Sequence, residues 1–121
     1  MRRRDLLGPW GEALACEYLR GRGCRIVACN YRSRFGEIDV IAEDRKFLIF
    51  AEVKLRKSAE YGAAREFVDA RKQERLRQTA LLWLEGYETR LQPRFDVIEI
   101  YGDADTPRRQ RRINQIENAF E

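Results

Sequence analysis

Two apolar segments separated by a short polar turn constrain this chain more than any other feature. Gly36-Glu37-Ile38-Asp39-Val40-Ile41-Ala42 is followed, after a turn around Asp44-Arg45, by Phe47-Leu48-Ile49-Phe50-Ala51-Glu52-Val53-Lys54-Leu55. Near the turn both are apolar at odd and even positions, which predicts a hairpin of strands buried on both sides. Period-two alternation groups Asp39 with Glu37 and Ile41, and groups Glu52 and Lys54 with Leu48 and Phe50. A two-residue turn at Arg45-Lys46 sets Asp39 opposite Glu52, and one at Asp44-Arg45 sets Glu37 there. In both, Asp39 faces the same side as Glu52 and Lys54; a three-residue turn would put it on the other. The residues leave the register open.

The 121 residues suit one domain and leave no room for two independent cores. Gly, Pro and Asp cluster at Gly21-Arg22-Gly23, Lys57 to Gly62, Gly86 to Pro93 and Gly102 to Pro107, which predicts loops there. Between them, Pro9 and Gly21 bracket a helix from Pro9 to Arg20. One face of that helix carries Gly11, Leu14, Ala15, Tyr18 and Leu19, with Glu12 at its edge. Cys24 to Asn30 reads as a first strand ahead of the hairpin. A second helix is capped by Asp69 and runs to Gly86. Arg94 to Tyr101 reads as a fourth strand, and Ile113 to Phe120 as a last edge strand and tail.

Composition removes several classes of chemistry. The chain has no histidine, so Ser-His and Cys-His nucleophiles, histidine bases and HExxH zinc sites are excluded. What remains is carboxylates, lysine or a hard metal ion. Cys16, Cys24 and Cys29 do not pair evenly and read as reduced thiols. The apolar run Phe47 to Ala51 is far short of the roughly 20 residues of a membrane span, and Met1-Arg2-Arg3-Arg4-Asp5 opens no signal peptide, so a cytoplasmic protein is expected. Charged residues make up 36% of the chain against a usual ~25%. Of 24 cations, four are lysines (Lys46, Lys54, Lys57, Lys72) and 20 are arginines, a bias that favours a polyanionic partner or simply a soluble surface.

Acids inside apolar strands call for a cation, because burying an unpaired carboxylate costs several kcal/mol. Asp39 and Glu52 offer the hard oxygens that Mg²⁺ prefers, with the Val53 carbonyl as a further donor. Lys54, two residues along the strand from Glu52, is suited to orienting or deprotonating an attacking water and to offsetting charge on a phosphate. Glu12 would add a ligand for a second metal or a metal-bound water. Taken singly, each has a plainer reading: a strand-end ion pair for Glu52 and Lys54, a helix-dipole glutamate for Glu12.

Together with Gly11-Glu12 and Ala15 ahead, and Arg94-Phe95-Asp96-Val97 behind, the hairpin resembles the bacterial YraN-like family. That family is placed by similarity in the restriction-endonuclease-like PD-(D/E)xK superfamily, near the archaeal Holliday-junction resolvases. The resemblance covers roughly residues 8 to 120. It implies an α/β fold, a mixed sheet of about five strands flanked by helices, and a metal-dependent nuclease site built from Glu12, Asp39, Glu52 and Lys54. Glu12, Asp39 and Glu52 would be its Mg²⁺ or Mn²⁺ ligands. Ile38 stands where the superfamily's usual pattern has proline.

Candidate nucleic-acid contacts are Arg56 and Lys57 beyond the active strand and Arg71, Lys72 and Arg75 on the second helix. A solvated cationic face is the alternative. The expected function is hydrolysis of phosphodiester bonds, with structured or branched DNA ahead of RNA. Two copies of the chain are expected on a symmetric substrate. The alternatives are a non-catalytic nucleic-acid-binding module with the same fold, and a basic surface that docks an acidic protein.

Overall fold

The computed structural model describes residues 3–56, 69–102 and 105–120. Lys57 and the loop expected after it lie outside the described residues. Among those described, the elements are α1 (Arg3–Gly21), β1 (Arg25–Arg32), β2 (Glu37–Glu43), β3 (Phe47–Arg56), α2 (Ala70–Glu85), β4 (Gln92–Tyr101), a 3₁₀ turn (Arg108–Gln110) and β5 (Arg112–Phe120). The strands form one mixed sheet in the order β1-β2-β3-β4-β5. β3 and β4 run parallel, and every other neighbouring pair is antiparallel. This is the α/β fold that the resemblance implies.

The predicted elements appear with shifted ends. The first helix begins at Arg3 and not at Pro9, so Pro9 lies inside it and removes one backbone donor without stopping the turn. Asp69 caps α2 as expected, its carboxylate accepting from Lys72 N at 2.8 Å. Asp44 closes the hairpin: its Oδ1 accepts from Lys46 N at 2.8 Å and Phe47 N at 2.7 Å, and its own N–H donates to Phe47 O at 3.1 Å. That leaves Arg45-Lys46 at the tip and selects one of the two registers left open. Glu43 pairs with Leu48, Ala42 with Ile49, Ile41 with Phe50 and Val40 with Ala51.

The two-sided apolar pattern of β2 and β3 is used on both faces. Under α1, Ala15 and Leu19 pack with Val40, Ile49, Ala51 and Ile98. Under α2, Leu76 and Ala80 pack with Ile41, Leu48, Phe50 and Val97. Each fully buried Leu or Ile contributes about 1.5–3 kcal/mol of transfer free energy, so the hairpin is the centre of both cores. The three cysteines are free thiols. No helix among the described residues is long and apolar enough to cross a membrane.

Candidate metal centre

The site forms where the regular pairing of the central hairpin ends. Val40 and Ala42 pack under α1, Ile41 under α2, yet Ile38 also packs on the α2 side. Strict alternation therefore breaks between Ile38 and Val40, and Asp39 sits at the break, with Glu52 the strongest charge acting on it. On the neighbouring strand, Cys29 contacts Cys16 of α1 while Tyr31 meets Trp83 of α2, so β1 switches faces at the same level. Asn30 makes that switch with a left-handed φ of 53°, which asparagine tolerates better than most residues. The paired ladder between β2 and β3 stops at Val40 and Ala51. Beyond it the Val53 N–H donates to Asp39 Oδ2 at 2.8 Å, a side-chain bond that holds the carboxylate between the strands.

Three carboxylates converge there. Glu12 from α1, Glu37 and Asp39 each bring an oxygen within 4.8 Å of the others, and all three are half-buried. Asn30 Nδ2 donates to Glu12 Oε2 at 2.8 Å and so ties α1 to β1 beside the cluster. Burial, reinforced by the charge on Glu52 and then by Glu12 and Glu37, pushes the Asp39 carboxyl up to about 7, against the opposing bond from Val53 N–H. The protein's own groups thus leave Asp39 short of positive charge. Three hard oxygens within reach of one ion are a donor set that suits Mg²⁺ or Mn²⁺, so the residues present fit a divalent cation.

Glu52 and Lys54 stand next to this cluster in a different set of contacts. Glu52 is 11% exposed, and its Oε1 lies 3.4 Å from Lys54 Nζ and 2.6 Å from Lys72 Nζ. Burial, together with the neighbouring Lys72 ammonium, lowers the Lys54 pKa although Glu52 opposes that shift. Lys72 is raised: burial works against its charge, but bonds to Glu52 and Lys54 and the attraction of Glu52 outweigh it. The pair divides one carboxylate unequally, with Lys72 the tighter partner.

The structure brings Glu12 and Asp39 together with Glu37, a residue that alternation grouped with Asp39 but to which sequence reasoning assigned no role. Asn30 was missed entirely, and its only signal was the tolerance of asparagine for positive φ. Lys72, expected on the nucleic-acid face, reaches into the site. Arg56 is nine-tenths covered, and its Nε lies 3.3 Å from the buried Glu99 carboxylate. Arg71 and Arg75 are exposed and line a cleft of about 310 Å³ with Phe35, Glu37 and Lys72.

Residues 11–100 match the profile of the family described as Uncharacterised protein family UPF0102. A UPF0102 protein of Pelotomaculum thermopropionicum is 42% identical over 118 residues, covering 97% of each chain. One from Arthrobacter sp. strain FB24 is 46% identical over 110 residues, or 89% of this chain and 93% of the relative. A third, from Symbiobacterium thermophilum, is 44% identical over 115 residues, or 94% and 95%.

Proposed function

The chain belongs to Uncharacterised protein family UPF0102, in line with the YraN-like resemblance of its hairpin, and from its acid-and-lysine site we propose that this member is a metal-dependent nuclease. One observation carries the reading: Asp39 is buried among Glu52, Glu12 and Glu37 and is held near a pKa of about 7, a cost a divalent cation would remove. Glu12, Glu37 and Asp39 would hold Mg²⁺ or Mn²⁺, and Glu52, the strongest charge acting on Asp39, would be a further ligand. Such an ion supplies Lewis-acid polarisation of a phosphoryl oxygen and lowers the pKa of water at the site.

The chain's own groups account for the rest. Lys54, set 3.4 Å from Glu52 and with a lowered pKa, is suited to orienting a water and accepting its proton as the water attacks phosphorus in line with the leaving oxygen. Arg71 and Arg75 border the cleft that opens beside Glu37, where cations steady a backbone without reading bases. Structured or branched DNA is the substrate class favoured by the resolvase likeness, and a cytoplasmic location suits it.

The test is cleavage of labelled linear duplex, single strand, flap, four-way junction and structured RNA with Mg²⁺, Mn²⁺ or EDTA. Cutting that requires metal and falls by roughly 10³-fold in both Asp39→Ala and Lys54→Ala is expected. A folded wild type that cuts nothing, but binds nucleic acid as well as Asp39→Ala does, would favour the non-catalytic binding module.

A further inference from the structure

We propose that Lys72 is a positioning residue that competes with the divalent cation for Glu52, so that metal entry releases a lysine to the substrate; the inference rests on the metal-dependent reading above. Lys72 Nζ sits 2.6 Å from Glu52 Oε1, closer than the strand lysine Lys54 at 3.4 Å on the same oxygen. An ammonium at that distance occupies Oε1, one of the two oxygens through which the Glu52 carboxylate could bind a metal, and its charge opposes a second cation there.

Anchorage and reach also suit the exchange. Its backbone is fixed in the first turn of α2, where Lys72 N donates to Asp69 Oδ1 at 2.8 Å. Its side chain is 42% exposed on a flexible four-carbon stem, whereas that of Glu52 is 11% exposed. The carboxylate is therefore confined, while the cation has somewhere to go. Lys72 also lines the cleft bordered by Arg71 and Arg75, so an ammonium freed from Glu52 faces the place proposed for a phosphodiester backbone. In the absence of metal, Lys72 supplies the nearer of the two positive charges on Glu52. With metal bound, the ion takes over that role and the lysine becomes a phosphate contact. The two binding events are then coupled through one carboxylate.

The experiment is calorimetric titration of Mn²⁺ into the full chain, as wild type, Lys72→Met, Lys72→Arg, Glu52→Gln and the Lys72→Met/Glu52→Gln double variant, each checked for folding by circular dichroism. Lys72→Met should bind Mn²⁺ about tenfold tighter, Lys72→Arg should stay near wild type, and the gain should vanish in the Glu52→Gln background. Lys72→Gln, which keeps a polar stem, replaces the methionine variant if that one is poorly folded. Unchanged or weaker binding on loss of Lys72 overturns the exchange, as does an equal gain without Glu52, which would mark a general charge effect. Where wild type binds Mn²⁺ and only the gain is missing, the nuclease reading survives. Where no variant binds Mn²⁺, both fall.

Discussion

Replacing Asp39 with asparagine is expected to stabilise the protein in EDTA, and to do so more at pH 8 than at pH 5. Asp39 has a folded-state pKa of about 7 against an ordinary 3.8. The folded state therefore holds a proton that the unfolded chain has lost between these values, and the wild type loses stability as pH rises from about 4 to about 7. Above that window the loss is constant. Asparagine has no charge to bury and still offers an oxygen to the Val53 N–H. The gain of Asp39→Asn over wild type should grow by roughly 2–3 kcal/mol between pH 5 and pH 8, measured by urea unfolding in EDTA. Saturating Mn²⁺ should reverse the order, because it stabilises only the chain that keeps the carboxylate. A gain that does not change with pH would mean that Asp39 is ionised without penalty, and would remove the observation on which the metal reading stands.

The largest loss of stability should come from a different acid. Asp96, 1% exposed in β4, accepts from Arg94 Nε and Nη2 at 2.9 Å each, from Gln115 Nε2 at 2.8 Å and from Asn118 N at 3.0 Å. The two bonds from Gln115 and Asn118 tie β4 to β5 at the point where their register shifts, and the two from Arg94 lie within β4. Arg94 in turn lies over the Phe47 ring at 4.4 Å, linking this network to the start of β3. Asp96→Ala leaves a buried guanidinium with only the 3.7 Å contact to the half-exposed Glu117 carboxylate and strands two further donors, at a cost of about 3–5 kcal/mol in chemical denaturation. Replacing Arg94 and Asp96 together with methionine and leucine should cost clearly less, since no unpaired charge is left inside. Equal losses in the single and double variants would show that packing, and not the ion pair, is what matters there.

These two acids show why buried carboxylates cannot be read alike. Asp96 has its full complement of donors and is structural. Asp39 has one backbone donor and three acidic neighbours, and that imbalance is what directs attention to it. From sequence both are single acids within apolar strands, and the one local difference is Arg94, two residues before Asp96 on the same strand face.

Strand and helix positions were legible because they depend on local signals. Apolar residues on both faces of the hairpin require cover on both sides, Asp69 and Gly86 mark the ends of α2, and the polar pair after Glu43 marks a turn. Glu12, Asp39, Glu52 and Lys54 also stood out along the chain as charges at the edge of, or inside, apolar segments. The tertiary structure decided how they group. Asp44 bonds to Lys46 and Phe47 and so selected the register. The paired change of face at Asn30 and Asp39 turned one acid toward Glu12 and Glu37. Lys72 and Arg56, both read as surface cations, went to Glu52 and Glu99. The physical reason is range: periodicity and turn chemistry act over a few residues, whereas the partner of a long charged side chain is set by which distant elements the two cores bring within 3–4 Å of it.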